Sequence, residues 1–81
     1  MLKIIMAWKT YLVIHFGTAG KRPSEVAKAL EAIGFTCALG PVDFIYEWKI
    51  RPLKQGVLEL ADRVAYALRG SGAVFNLDTH D

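Results

Sequence analysis

The chain has 81 residues, of which 53% are hydrophobic and 22% are charged, with a formal net charge of +2 and a single cysteine. This composition predicts one small globular domain over residues 1–81 and excludes an intrinsically disordered chain. A disulfide scaffold is excluded because Cys37 has no intramolecular partner, and no apolar run approaches the roughly 20 residues of a membrane-spanning helix.

The N-terminal residues lack the cleavage pattern of a signal peptide, since Trp8, Lys9 and Thr10 follow the apolar start without small residues. Together with the lone cysteine, this predicts a cytoplasmic protein without membrane association. The net charge of +2 is too small to indicate nucleic-acid binding by itself.

The first half of the chain predicts a strand, a helix and a second strand. Alternation of β-branched and aromatic side chains indicates a strand over residues 10–16. Pro23, Glu25 and an apolar stripe from Val26 predict a helix over residues 23–33, and Gly34 is the expected stop signal. A short strand over residues 35–39 then leads into a turn at residues 40–41.

The second half predicts a strand, a helix and a final strand. Residues 43–49 alternate most clearly and form a hairpin with the preceding strand. Pro52 opens a helix whose apolar stripe includes Leu53 and continues to Leu68, and the glycines of residues 70–72 end it. Residues 73–78 form the last strand.

The order β-α-β-β-α-β predicts a ferredoxin-like α+β sandwich, with strand order 4-1-3-2 and both helices on one face of an antiparallel sheet. Strand parity then divides the side chains between the two faces. The residues predicted to lie beneath the helices are Leu12, Ile14, Phe16, Phe35, Cys37, Leu39, Phe44, Tyr46, Trp48, Phe75 and Leu77.

The uncovered face is predicted to be about half apolar, which favours a partner over solvent. We expect a homo-oligomer that forms through this face; tolerated surface residues are the alternative. The predicted contact residues are Tyr11, Val13, His15, Ile45 and Val74.

The sequence Ala-Leu-Gly-Pro-Val-Asp-Phe-Ile-Tyr-Glu over residues 38–47 resembles the Gly-x-Tyr-Asp segment of the ligand-sensing (RAM/ACT-like) domain in leucine-responsive/AsnC-type regulators and related dimeric α+β barrel proteins. The order of elements and the last strand are also similar. Val42 departs from the family, which prefers tyrosine there. The resemblance implies a stand-alone sensing or assembly module that binds small effectors at subunit interfaces, and it matches the turn motif only at Gly40 and Asp43.

The candidate ligand site therefore combines Gly40 and Asp43 with His15, which antiparallel pairing would bring alongside Asp43. Two of these residues have a structural alternative: Asp43 would cap the turn, and His15 would be an ordinary surface side chain. A third possibility is a small enzyme that uses His15 and Asp43 in acid/base catalysis, but no nucleophile accompanies them, so a non-enzymatic protein is expected.

The loop over residues 17–22 is a candidate anion site because glycines and two cations precede a helix N-terminus. Its residues are Gly17, Gly20, Lys21 and Arg22. The spacing is not that of a P-loop, and a flexible basic connection is the alternative. Nucleic-acid binding through this loop is the second functional hypothesis.

We expect no metal and no cofactor. Asp78, His80 and Asp81 are chemically suited to a metal, but no Cys/His spacing supports a site. An RNA-binding surface of stacked aromatics is disfavoured because the hairpin aromatics share the parity of the core.

Overall fold

The computed structural model describes residues 8–16 and 20–81. This part of the chain has the predicted α+β class, with a four-stranded antiparallel sheet and two helices. The elements are β1 (Lys9–His15), α1 (Pro23–Ile33), β2 (Thr36–Cys37), β3 (Phe44–Glu47), α2 (Lys54–Ala67) and β4 (Val74–His80).

The sheet has the order β2-β3-β1-β4, so β1 is bonded on both sides. In register, Leu12 of β1 lies opposite Phe44 of β3 and Leu77 of β4. On the other face, Tyr11 lies between Ile45 and Asp78. This arrangement is compatible with a ferredoxin-like plan.

One hydrophobic cluster joins alternate strand residues to both helices. Leu12 and Ile14 of β1 belong to the same cluster as Leu30 of α1 and Val64 of α2, so this face of the sheet carries the core. Tyr46, Trp48, Phe75 and Leu77 pack against the cluster while partly buried, which confirms their predicted side of the sheet. The buried members are Leu12, Ile14, Val26, Leu30, Phe35, Phe44, Leu60, Val64, Ala67 and Leu68.

Helix α1 has the predicted bounds because both of its ends are specified locally. Pro23 occupies the first turn, where a missing N–H costs no hydrogen bond. At the other end, the Gly34 N–H donates to the carbonyl oxygens of Leu30 and Glu31 at 3.2 and 3.0 Å. Helix α2, in contrast, begins two residues after Pro52.

Four apolar or thiol side chains predicted to be inside are exposed instead. Strand β2 is only two residues long and lies at the sheet edge, which leaves Leu39 99% exposed and Cys37 exposed. Phe16 is 42% exposed because β1 ends at His15. Leu53 is 79% exposed because it is the extended residue that precedes α2 rather than part of the helical stripe.

Gly20, shortly before α1, packs closely against the loop before β4. Gly20 has a φ of 107°, and a Cβ atom placed there would clash with the carbonyl oxygen of Gly70. It would also lie 2.9 Å from the carbonyl oxygen of Ser71. Because both neighbours are main-chain atoms, no side-chain rotation could relieve these contacts. This position therefore requires glycine for both space and backbone conformation.

Leucine-to-alanine variants test the division between core and surface. Leu30→Ala removes a fully buried side chain and is expected to lower the free energy of unfolding by about 2–5 kcal/mol. Leu39→Ala is the matched control and should change it by less than about 0.5 kcal/mol. Urea denaturation followed by circular dichroism measures both, and comparable losses would contradict the assigned exposure of Leu39.

Candidate functional site

The uncovered sheet face carries a strip of apolar side chains at its centre. Tyr11, Val13 and Ile45 are half-buried, and Val74 near the end of the face is 67% exposed. Tyr11 and Ile45 are directly opposite each other across β1 and β3. The structure thus places the predicted contact residues on one surface, with His15 exposed opposite Val74.

Charged residues of both signs surround one end of this strip. Lys9 Nζ lies 3.8 Å from Glu47 Oε1, and the two residues are register partners. On the other side of β1, the rings of Tyr11 and His80 stack with centroids 4.6 Å apart. His80 Nε2 also lies 3.8 Å from Asp78 Oδ2, so the rim contains both acids and bases.

The candidate ligand residues lie toward the opposite end of the sheet, where β1 ends and β3 begins. Gly40 is exposed with a φ of 109°, and a Cβ there would meet open space. Asp43 Oδ2 accepts a hydrogen bond from the Ile14 N–H at 2.8 Å, while the Asp43 N–H donates to the Leu12 carbonyl oxygen at 2.9 Å. One carboxylate oxygen of Asp43 is thus engaged by the main chain of β1, whereas the capping alternative placed this carboxylate on its own turn.

The predicted pairing of His15 with Asp43 is not among the contacts of the described residues. Within the described residues, His15 lies in register with Val74, and no hydrogen bond or ion pair joins its ring to Asp43. The acid/base dyad needed for catalysis is therefore not assembled in this part of the structure.

The basic loop is described only from Gly20, since Gly17 lies outside the described residues. Lys21 is half-buried, and Arg22 is exposed. Arg22 is the N-cap residue of α1, but its side chain makes no capping hydrogen bond. The Glu25 and Val26 N–H groups donate to the Arg22 carbonyl oxygen at 3.0 and 3.1 Å, so these two donors of the helix start are already satisfied.

A polar chain holds Trp48 in place beneath the helices. The Trp48 Nε1–H donates to Thr10 Oγ1 at 2.8 Å, and Thr10 Oγ1 lies 2.7 Å from Thr79 Oγ1. Thr10 is fully buried, so its hydroxyl is shielded from water, whereas Thr79 is half-buried. Because an unpaired buried indole N–H is costly, this chain fixes the orientation of the Trp48 ring.

Sequence reasoning placed Trp48 in the core and missed the two cavities beside it. One cavity of about 210 Å³ and another of about 310 Å³ share Trp48, Gly56 and Glu59 in their linings. The available signal was Gly56, an unfavourable residue inside a helix that costs about 1 kcal/mol relative to alanine. A third cavity, of about 490 Å³, lies between the helices and is lined by Ala29, Ile33, Tyr66 and Arg69 among others.

Within the described ranges, no group of three or more His, Cys, Asp or Glu side chains could hold a metal ion. Neither α1 nor α2 has the length and apolar character that crossing a bilayer requires. No protein-family model, curated protein or solved structure matches the chain.

Substitutions at Asp43 test its structural hydrogen bond. Asp43→Ala removes the acceptor for the Ile14 N–H and is expected to cost about 0.5–2 kcal/mol of unfolding free energy, whereas Asp43→Asn keeps an acceptor and should cost less. Hydrogen exchange at the Ile14 amide should accelerate most in Asp43→Ala. Asp62→Ala, which removes an exposed carboxylate of α2, is the control; unchanged exchange at Ile14 in Asp43→Ala would refute this role.

Proposed function

We propose that the chain is a non-enzymatic, ferredoxin-like binding module that pairs with a second copy through its open sheet face. We assign it a sensing or assembly role, in which a small effector binds at the boundary between the two copies. The effector is of the amino-acid class that the sequence resemblance implies.

The observation that supports self-association is the apolar strip formed by Tyr11, Val13, Ile45 and Val74. The helices cover the opposite face, so within the described chain these side chains meet no apolar layer. A one-sided antiparallel sheet in a solitary domain normally presents polar residues to water. Covering this strip would remove apolar surface from solvent and would add to the stability of a domain with a small core.

The charge arrangement favours a second copy over an unlike partner. Lys9 and Glu47 lie at the same end of the strip as Asp78 and His80, so the rim carries both signs. In a two-fold pair, the same surface meets itself, and each acid can face a base of the other copy. A partner of strongly positive or strongly negative charge would gain no comparable complementarity.

The turn at Gly40 supports an effector site at the edge of such a pair. Gly40 leaves open space beside an exposed backbone, and Asp43 holds one oxygen on the Ile14 N–H. Its other carboxylate oxygen could accept from an ammonium group. His15 is exposed on the same face, two residues beyond the position of β1 next to Asp43.

Lysine substitution on the open face tests the pairing. Val74→Lys places a charge at a position already 67% exposed, so the single chain should still fold while the pair dissociates. Sedimentation equilibrium over micromolar to submillimolar concentrations should give twice the chain mass for the natural sequence and the single-chain mass for the variant. Leu58→Lys, at a 55% exposed position of α2, should remain paired. A natural chain that is monomeric throughout would refute the proposed interface.

Melting measurements test the effector. An amino acid that binds the folded protein should raise its stability by RT ln(1 + [L]/Kd), about 2.7 kcal/mol when the concentration is 100 times Kd. Because the proposed site lies between copies, Val74→Lys should lose this increase while Leu58→Lys keeps it. A panel of amino acids without any effect on the melting temperature would count against sensing but leave the pairing intact.

A further inference from the structure

The two cavities beside Trp48 are neighbours along α2, and the smaller one is a candidate site. Both are lined by Trp48, Gly56 and Glu59. Tyr46 and Arg63 line the smaller cavity, of about 210 Å³. Since pockets for drug-sized molecules occupy about 300–1,000 Å³, the smaller cavity suits only a small ligand.

Two aromatic rings form a corner of this cavity. The centroids of Tyr46 and Trp48 are 4.9 Å apart, and their planes meet at 64°. Trp48 cannot rotate freely because its Nε1–H is held by Thr10 Oγ1 at 2.8 Å. Preorganised aromatic walls attract cations through the negative faces of the rings, and tryptophan is the strongest of the aromatic residues in this role.

Opposite charges line the cavity without neutralising each other. Glu59 and Arg63 are one helical turn apart on α2, yet they form no ion pair; the close acid–base contacts of the described residues are Lys9–Glu47 and Asp78–His80. The hydrogen bond found for the Glu59 carboxylate is a long one, 3.4 Å from Gln55 Nε2. A carboxylate and a guanidinium are thus both available to a ligand in the smaller cavity.

The helix has room for a larger residue than glycine at position 56. A Cβ atom at this position would lie 3.7 and 3.8 Å from Trp48 Cζ3 and Cη2, which is ordinary van der Waals contact. Alanine would therefore fit and would favour the helix. The absence of a methyl group keeps both cavities open at the Trp48 ring.

We infer that the smaller of the two cavities, lined by Tyr46 and Arg63, binds a small zwitterion whose positive group is a quaternary ammonium. The ammonium lies against Trp48 and Tyr46 beside Glu59, and the carboxylate of the ligand lies at Arg63. A ligand with only a positive charge would meet the uncompensated Arg63, and one with only a negative charge would meet Glu59. A quaternary ammonium needs no hydrogen-bond acceptors for N–H groups, so aromatic walls and one carboxylate are sufficient.

The experiment uses glycine betaine as the probe, with two analogues that each lack one charge. Choline keeps the trimethylammonium group but lacks the carboxylate, and 3,3-dimethylbutanoate keeps the carboxylate but replaces nitrogen with carbon. In ¹H,¹⁵N correlation spectra, millimolar betaine should shift the Trp48 indole signal in a saturable way, and each analogue should bind at least about fivefold more weakly. The indole signals of Trp8 and Trp48 are distinguished with Trp8→Phe.

Variants separate binding from folding. Gly56→Ala should melt at a higher temperature but bind betaine several-fold more weakly, because its methyl group enters the space beside Trp48. Glu59→Gln and Arg63→Gln should each weaken binding by about fivefold, whereas Glu31→Gln and Arg69→Gln, outside the cavity, should not. Val74→Lys should bind normally, which distinguishes this site from one between copies.

Three results would overturn the inference. The first is the absence of a saturable betaine shift in a folded protein. The second is choline binding as tightly as betaine, which would indicate a simple cation site. The third is 3,3-dimethylbutanoate binding as tightly as betaine, which would show that the ammonium group beside Glu59 does not contribute to binding.

Discussion

Strand β1 is hydrogen-bonded to β3 on one side and to β4 on the other, and this double pairing constrains the rest of the structure. Its seven residues alternate between two environments, with Thr10, Leu12 and Ile14 buried and Tyr11 and Val13 half-exposed. A slip of one residue would exchange these two sets of side chains. The hydrophobic core, the anchoring of Trp48 and the apolar strip on the open face therefore all depend on one register.

The elements that sequence predicted best are those whose ends are locally encoded. Helix α1 has Pro23 at its start and Gly34 after its end, and its observed bounds are the predicted ones. Strand lengths depend instead on partners that are distant in sequence. Pairing with β1 carries β4 to His80, beyond the predicted residue 78, whereas β2 has a single neighbour and shortens to two residues. Leu39 follows the core parity but lies beyond the end of its strand, so parity alone misplaced it.

The candidate sites also divide into features that the local sequence encodes and features that depend on distant residues. The open-face residues follow from alternation along β1 and β3, which a sequence reveals directly. The position of Asp43 relative to His15 was expected from antiparallel pairing, but the Asp43 carboxylate accepts a hydrogen bond from the Ile14 N–H instead. The cavities at Trp48 combine residues of β3, of the segment that follows it and of α2. The hydrogen bond that holds Trp48 comes from still farther away, since Thr10 of β1 is 38 positions distant in sequence. No local pattern encodes that combination.

The close approach of Gly20 to Gly70 and Ser71 links two connections that are far apart along the chain. Gly20 precedes α1, and Gly70 and Ser71 precede β4, so the absence of a side chain at Gly20 is what lets the two backbones approach. Loop grafting, randomisation or insertion at one of them would have to be designed together with the other, even though about fifty positions separate them in the sequence.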